Sequence, residues 1–300
     1  MKQNNKKESP TSTNKYKLGV FLEAGGNKVF FVNGVLSILD KENIKIDMLV
    51  GLSSSAAILF AFLFGKSLYA VNLFAHKLDH NNKNFYLLRK EHFPHNEIYG
   101  SSVSHLLEEY PAKEIFSDFL ILGSSTPRKW VTFKATLATF FLILKYGFKI
   151  NLLKYFRDAF DVSEARITNK NILSRAELTS FIMGSSTIFP FIKPHYLSES
   201  LILDGGLLDI DYENLLSDCE KKIIIHTEKG KTSTVGNTLH IYSDERIPNN
   251  MLDYTNGSKV IWLHKLGENV MSRNISLLKS FIGQAKVDSG KQSPPFYNIS

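Results

Sequence analysis

The sequence is almost without cysteine: Cys219 is the single thiol in 300 residues. That excludes a disulfide framework and any Cys-rich zinc site. It suits a reducing compartment, or a fold that needs no covalent staples. No secretory leader is visible, because the first sixteen residues are rich in Lys, Asn, Ser and Thr and hold no apolar core. The next apolar stretch, Leu18 to Leu22, ends at once at Glu23. No period runs through the chain, which excludes collagen-like and coiled-coil architectures. A Pro/Gly/Ser linker and internal repeats are also absent, so one domain of about 270 residues is the simplest organisation.

Apolar residues make up 43% and charged residues 22%, the usage of an ordinary globular protein with a core to bury. The formal charge is +7 and the pI about 9.2. That balance favours anionic surfaces, either nucleic acid or an acidic bilayer, without choosing between them. Part of it is local, since Lys2, Lys6, Lys7 and Lys15 face only Glu8 in the N-terminal segment. Residues 1–16 read as a disordered basic arm and residues 285–300, with Ser289-Gly290 and Pro294-Pro295, as a loose tail. Residues 17–284 form the domain between them. Met48 to Gly65 carries no charge over eighteen residues, the lower limit of a membrane span. Gly51 and the serines at 53–55 interrupt it, and a buried strand followed by a buried helix leaves the same trace. Trp130 to Phe148 is apolar as well. It reads as a core or lid helix, or as a surface segment that meets lipid.

Strand-like runs recur at Tyr16–Leu22, Met48–Val50, Phe119–Leu122, Leu201–Leu203, Lys222–Ile225, Thr238–Tyr242 and Lys259–Leu263. Helical patterns fall between them at Val29–Leu39, Ala56–Leu63, Leu173–Met183 and Val270–Ile282. The alternation predicts an α/β fold, with a mostly parallel central sheet covered on both faces in three α/β/α layers.

Three short motifs carry chemistry. In Val50-Gly51-Leu52-Ser53-Ser54-Ser55-Ala56-Ala57 an apolar strand runs through small residues into an apolar helix, the setting of a nucleophile elbow. Residues two before and two after such a nucleophile must be small, or strand and helix collide. Ser53, between Gly51 and Ser55, meets that condition; Ser54 would have Leu52 behind it, and Ser55 is flanked by Ser53 and Ala57 without a glycine. A cluster of N-capping serines is the plainer alternative. In Glu23-Ala24-Gly25-Gly26-Asn27-Lys28, between the first strand and the first helix, two glycines let backbone N–H groups approach an anion. The spacing fits neither a dinucleotide fingerprint nor a P-loop. It leaves an oxyanion loop or an ordinary turn. In Leu201-Ile202-Leu203-Asp204-Gly205-Gly206 an apolar strand delivers Asp204 at its end, where parallel sheets gather their sites. Asp-Gly is also a common turn.

Taken in order, these motifs resemble the patatin-like phospholipase family, over about residues 17–210. The family's oxyanion motif is D-G-G-G-x-[RK]-G, its nucleophile motif G-x-S-x-G and its aspartate motif D-G-[GA]. Asn33-Gly34-Val35-Leu36 matches a segment of its first helix, and Ser185-Ser186-Thr187-Ile188-Phe189-Pro190 its small-residue stretch ahead of the aspartate. The resemblance implies a three-layer patatin-like fold and a lipid acyl hydrolase of the phospholipase A or lysophospholipase type. Ser53 would be the nucleophile and Asp204 the general base, with no histidine. Gly25, Gly26, Asn27 and Lys28 would form the oxyanion segment, Gly51 and Ser55 would flank the elbow, and Gly205 and Gly206 would complete the aspartate motif. Glu23, Ala24, Val29 and Ser55 depart from the family's Asp, Gly, Gly and Gly. A catalytically weak or inactive relative that binds lipid or a partner is the alternative reading.

Such a mechanism needs no cofactor, and no His/Asp/Glu cluster has the spacing of metal ligands. The implied partners are a phospholipid or lysophospholipid substrate and a membrane surface, met peripherally from the cytoplasm, with export lacking a cleaved signal left open. Nucleic acid is not expected, since no recognition motif accompanies the charge. The rival Ser-Asp-His triad has its order available in His226, His240 and His264, but Ser53 follows only the second strand and no HGGG-type loop precedes it.

Overall fold

Alternate residues of the apolar runs enter two different clusters, as the two-residue period of a strand buried on both sides requires. Val20 and Leu22, Leu49, Phe119 and Ile121, and Ile223 and Ile225 join the larger cluster. Phe21, Val50, Leu52, Leu120, Leu122 and Ile224 join the smaller one on the opposite face. The structure, a computed structural model, describes residues 15–87, 92–110, 115–127, 162–171, 173–187, 192–193, 195–248 and 253–283. The expected arm up to Asn14, the tail 285–300, the Trp130–Phe148 segment and Ile188–Pro190 lie outside the described residues.

The elements run β1 (Tyr16–Leu22), α1 (Val29–Lys41), β2 (Met48–Leu52), α2 (Ser54–Leu63), α3 (Ser67–Asp79), α4 (Ser101–Leu106), β3 (Asp118–Pro127), β4 (Ser163–Thr168), α5 (Arg175–Ser185), β5 (His195–Leu197), β6 (Ser200–Leu203), α6 (Tyr212–Leu215), β7 (Cys219–Lys229), β8 (Ser233–Val235), β9 (Thr238–Ser243), α7 (Gly257–Arg273) and α8 (Ile275–Ile282). Among the described residues nine strands make one sheet in the order β5-β6-β3-β2-β1-β7-β9-β8, with β4 on β3. Its centre, β3-β2-β1-β7-β9, is parallel. The flanking strands β4, β5, β6 and β8 are antiparallel. Helices cover both faces unequally: α1, α2, α3, α5, α7 and α8 feed the larger cluster, whereas α6 covers the other face beside Leu216.

Most expected elements stand where their patterns put them, and Met48–Gly65 is a buried strand and helix. No described helix is long and apolar enough to cross a membrane. Two readings are corrected. Lys259–Leu263 is not a strand but part of α7, capped by the Asn256 side chain accepting from the Lys259 N–H. Val260, Leu263, Leu266 and Val270 are its buried stripe, at helical spacing. Val270–Ile282 is two helices that meet at Asn274. The close crossing of α1 and α7 explains Gly34: a Cβ there would lie 2.0 Å from the His264 carbonyl oxygen. Gly267 answers from the other helix, its Cβ position 2.1 Å from the Phe31 carbonyl oxygen.

Parallel order at the centre brings the loops after β1 and β2 to one carboxyl edge. Strand β6 reaches that edge from the other direction, as one of the antiparallel strands of the mostly parallel sheet. β3 extends past Leu122, the last residue it pairs with β2. β6 pairs with that overhang, from Pro127↔Ser200 to Ser124↔Leu203. It therefore ends beside the end of β2.

Candidate active site

Ser53 stands between β2 and α2 at φ 54°, ψ −134°. A side chain there is strained, at about 1–3 kcal/mol. The surroundings impose the geometry. A Cβ at Gly51 would press to 3.1 Å from the Ser55 carbonyl oxygen, so strand and helix would have to give by a few tenths of an ångström to admit a side chain. Ser55 ties the elbow down: its hydroxyl lies 2.8 Å from the carbonyls of both Leu22 and Leu52, and accepts from the Leu52 N–H at 3.0 Å. In the place of the family's glycine, the extra oxygen thus links β1 to β2. Ser53 occupies the N-cap position of α2 but makes no capping bond. Its hydroxyl instead donates to Asp204 Oδ2 at 2.8 Å.

The strain predicts a stability difference between two inert replacements. Ser53→Gly, free at positive φ, is expected to be more stable than Ser53→Ala by about 1 kcal/mol. Thermal melts of the two proteins check it.

Asp204 is held from three sides. Its other oxygen, Oδ1, accepts the Gly206 N–H at 2.6 Å. Its carbonyl accepts the Ser124 hydroxyl at 3.0 Å. Gly205 passes so close to the sheet that a Cβ would sit 3.0 Å from the Leu122 carbonyl oxygen and 3.1 Å from Leu52 Cβ. Both members of the pair are buried, Ser53 at 7% exposure and Asp204 at 9%.

The glycine loop follows β1. Gly25, Gly26 and Asn27 line the same pocket as Ser53 and Asp204. Gly26 has φ 56°. The Lys28 N–H donates to the Gly25 carbonyl at 3.2 Å and closes the turn. Asn27 Nδ2 donates to the Asp253 carbonyl at 2.5 Å. Behind the loop, Glu23 Oε2 accepts the Thr227 N–H at 2.5 Å and its hydroxyl at 3.2 Å. The Thr227 hydroxyl also lies 2.8 Å from the Ala24 carbonyl. Burial pushes the Glu23 carboxyl up, but hydrogen bonds from His226 and Thr227 outweigh it and leave the group below the usual carboxylate range. β7 thereby clamps the loop. Thr227→Val, which keeps the shape and loses the hydroxyl, is expected to slow turnover about tenfold, the worth of one hydrogen bond. Thr227→Ser is expected to restore it, with kcat the quantity measured.

The pocket wall is apolar on one side, with Ile58, Leu73, Phe74, Val103 and Leu106. Polar groups come from His95, Tyr99, Ser186 and Tyr254, of which only Ser186 lies in a stretch the sequence had singled out. Their only sequence signals are the four-residue spacing of His95 and Tyr99 and the small-residue stretch holding Ser186. His95 Nδ1 shares a hydrogen bond with the Tyr254 hydroxyl at 2.6 Å, and its Nε2 lies 3.3 Å from the Ser186 hydroxyl. Burial, with His195 adding to it, pushes His95 down to about 3, so it is neutral in the working range. The other histidines are not at the pocket. His226 meets Glu23 at 3.8 Å and His240 at 3.1 Å, while His264 packs on Asn33 at 3.4 Å and Glu268 at 3.7 Å. Among the described residues no group of three or more His, Cys, Asp and Glu could hold a metal ion. Burial raises the Cys219 thiol to about 11, which keeps it protonated and unreactive.

Residues 20–210 match the family model described as patatin-like phospholipase. No curated protein matches the chain. Among solved structures, VipD from Legionella pneumophila is similar at 10% sequence identity and a TM-score of 0.34, with 85% of this chain and 67% of that chain covered.

Proposed function

The chain belongs to the patatin-like phospholipases, and from that premise we propose that it is a serine acyl hydrolase cleaving carboxylic esters of glycerolipids through Ser53 and Asp204. The family acts on lipid esters in general. The observation that carries the finer reading is the 2.8 Å hydrogen bond from a strained, buried Ser53 to Asp204 at the edge of an apolar pocket.

A serine hydroxyl is a poor nucleophile until a neighbouring base takes its proton. Asp204, aligned by Gly206, accepts that proton as Ser53 Oγ attacks the ester carbonyl. The carbonyl oxygen becomes an oxyanion, received by N–H groups of the Gly25–Asn27 loop and by the positive end of α2. The C–O bond to the alcohol then breaks, and Asp204 returns the proton to the leaving oxygen. Water repeats the sequence on the acyl-enzyme, and the fatty acid leaves. The apolar wall, from Ile58 to Leu106, takes the acyl chain.

Two of the four departures from the family motifs, Ser55 and Glu23, have found contacts that hold the site together, which supports an active enzyme rather than a relieved one. Ser55 bridges β1 and β2, and Glu23 holds Thr227. The positive charge, and Leu68 and Tyr69 exposed on α3 beside the pocket-lining Ala70 and Leu73, fit peripheral work at an anionic bilayer from the cytoplasm. Residues 17–284 act as one domain in this reading, since β7 and β9, beyond the stretch that matches the family, extend the same sheet. The test is release of free fatty acid from lysophospholipid micelles and from diacyl phospholipid vesicles. Release from either supports the proposal; release from neither, nor from other glycerolipids, contradicts it.

A further inference from the structure

The Tyr99 hydroxyl is buried and makes no hydrogen bond. An unmatched buried donor costs about 1–3 kcal/mol, and natural interiors seldom leave one without cause. The side chain is not loose. Its ring packs on His95 with centroids 4.9 Å apart, and His95 is fixed in turn by Tyr254 and Ser186. Ser186 lies near enough to act on the phenol electrostatically, but not in hydrogen-bonding geometry with it; its hydroxyl lies 3.0 Å from the Met183 carbonyl and 3.3 Å from His95 Nε2. Tyr254 is likewise committed, to His95, with its backbone N–H held by Asn84 at 2.5 Å. Tyr99 lines the pocket that holds Ser53 and Asp204. Burial raises its pKa, Ser186 offsets this in part and the Asp204 carboxylate adds to it, so the phenol keeps its proton and can donate to what enters.

We propose that Tyr99 is a specificity-determining donor, which hydrogen-bonds an uncharged oxygen of the glycerol backbone as the lipid binds beside Ser53. The inference rests on the lipid-substrate part of the proposed function and deepens it. The pocket reads the alcohol side of the ester as well as the acyl chain. A glycerol carries a hydroxyl or second ester oxygen next to the scissile ester; a simple alkyl or aryl ester has none.

The test uses Tyr99→Phe, which keeps the ring and removes only the oxygen. Its Tm is expected to match or exceed that of the wild type, since an unpaired buried donor is lost. Two measurements follow. The first is the Kd of a non-hydrolysable ether lysophospholipid and of a fatty alcohol of the same chain length. Tyr99→Phe is expected to weaken the glycerol ligand about tenfold and the alcohol less than twofold. The second is kcat/KM for lysophosphatidylcholine against the p-nitrophenyl ester of the same acid, with the same selective loss. An unchanged ratio between glycerol and non-glycerol ligands overturns the proposal, whichever way both values move. Selective binding without hydrolysis would instead refute the hydrolase reading and leave Tyr99 in its role.

Discussion

Ser53→Ala is expected to abolish lipid ester hydrolysis, with a loss in kcat of the order of a millionfold, as for nucleophile removal in serine hydrolases. Nothing nearby is positioned to take over. The Ser55 hydroxyl is committed to the Leu22 and Leu52 carbonyls, and the buried Ser54 hydroxyl makes no hydrogen bond, to Asp204 or anything else. The fold should survive, because alanine loses one hydrogen bond, worth about 1 kcal/mol, and keeps the same backbone. Fatty acid release by a folded Ser53→Ala protein at more than a thousandth of the wild-type rate would place the nucleophile elsewhere.

Asp204→Asn is expected to lower kcat by about ten-thousandfold, the size seen when a hydrolase loses its carboxylate but keeps its geometry. The hydrogen bonding explains why so small a change matters. The Gly206 N–H must meet an acceptor, so the asparagine carbonyl takes the place of Oδ1. Its NH2 group then points at Ser53, a donor where a base is needed. Ser53 can no longer give up its proton to residue 204. Unfolding curves should change little, since the bond from Gly206 persists. If Asp204→Asn retained activity, the base would have to be another group, although no other carboxylate lines the pocket among the described residues.

What the sequence discloses, and what it hides, follows from the range of the forces involved. The elbow was readable because strand and helix collide over a space of five residues. Gly51 and Ser55 record that collision, and the structure shows the 3.1 Å approach behind it. Asp204 was readable because a strand end and two glycines mark a tight turn. The direction of β6 was not, because it depends on how far β3 overhangs β2, a property of the assembled sheet. Strand β7 supplies Thr227 to the glycine loop across a sequence distance of about 200 residues, and no local pattern foretells such a contact. Lys259–Leu263 misled because five residues with Val and Ile suit a strand. Only the longer stripe to Val270 discloses the helix. His95, Tyr99, Ser186 and Tyr254 are spread over some 160 residues, and only the fold brings them to one wall.

The measurement that bears most directly on the central claim requires no knowledge of the natural lipid. Wild type and Ser53→Ala are treated with a fluorophosphonate, which traps an activated serine as a covalent adduct, and intact mass is read. One added phosphonate on the wild type and none on Ser53→Ala is the predicted result. Equal labelling of the two, or none on either, would contradict the account of Ser53 as the nucleophile that Asp204 activates.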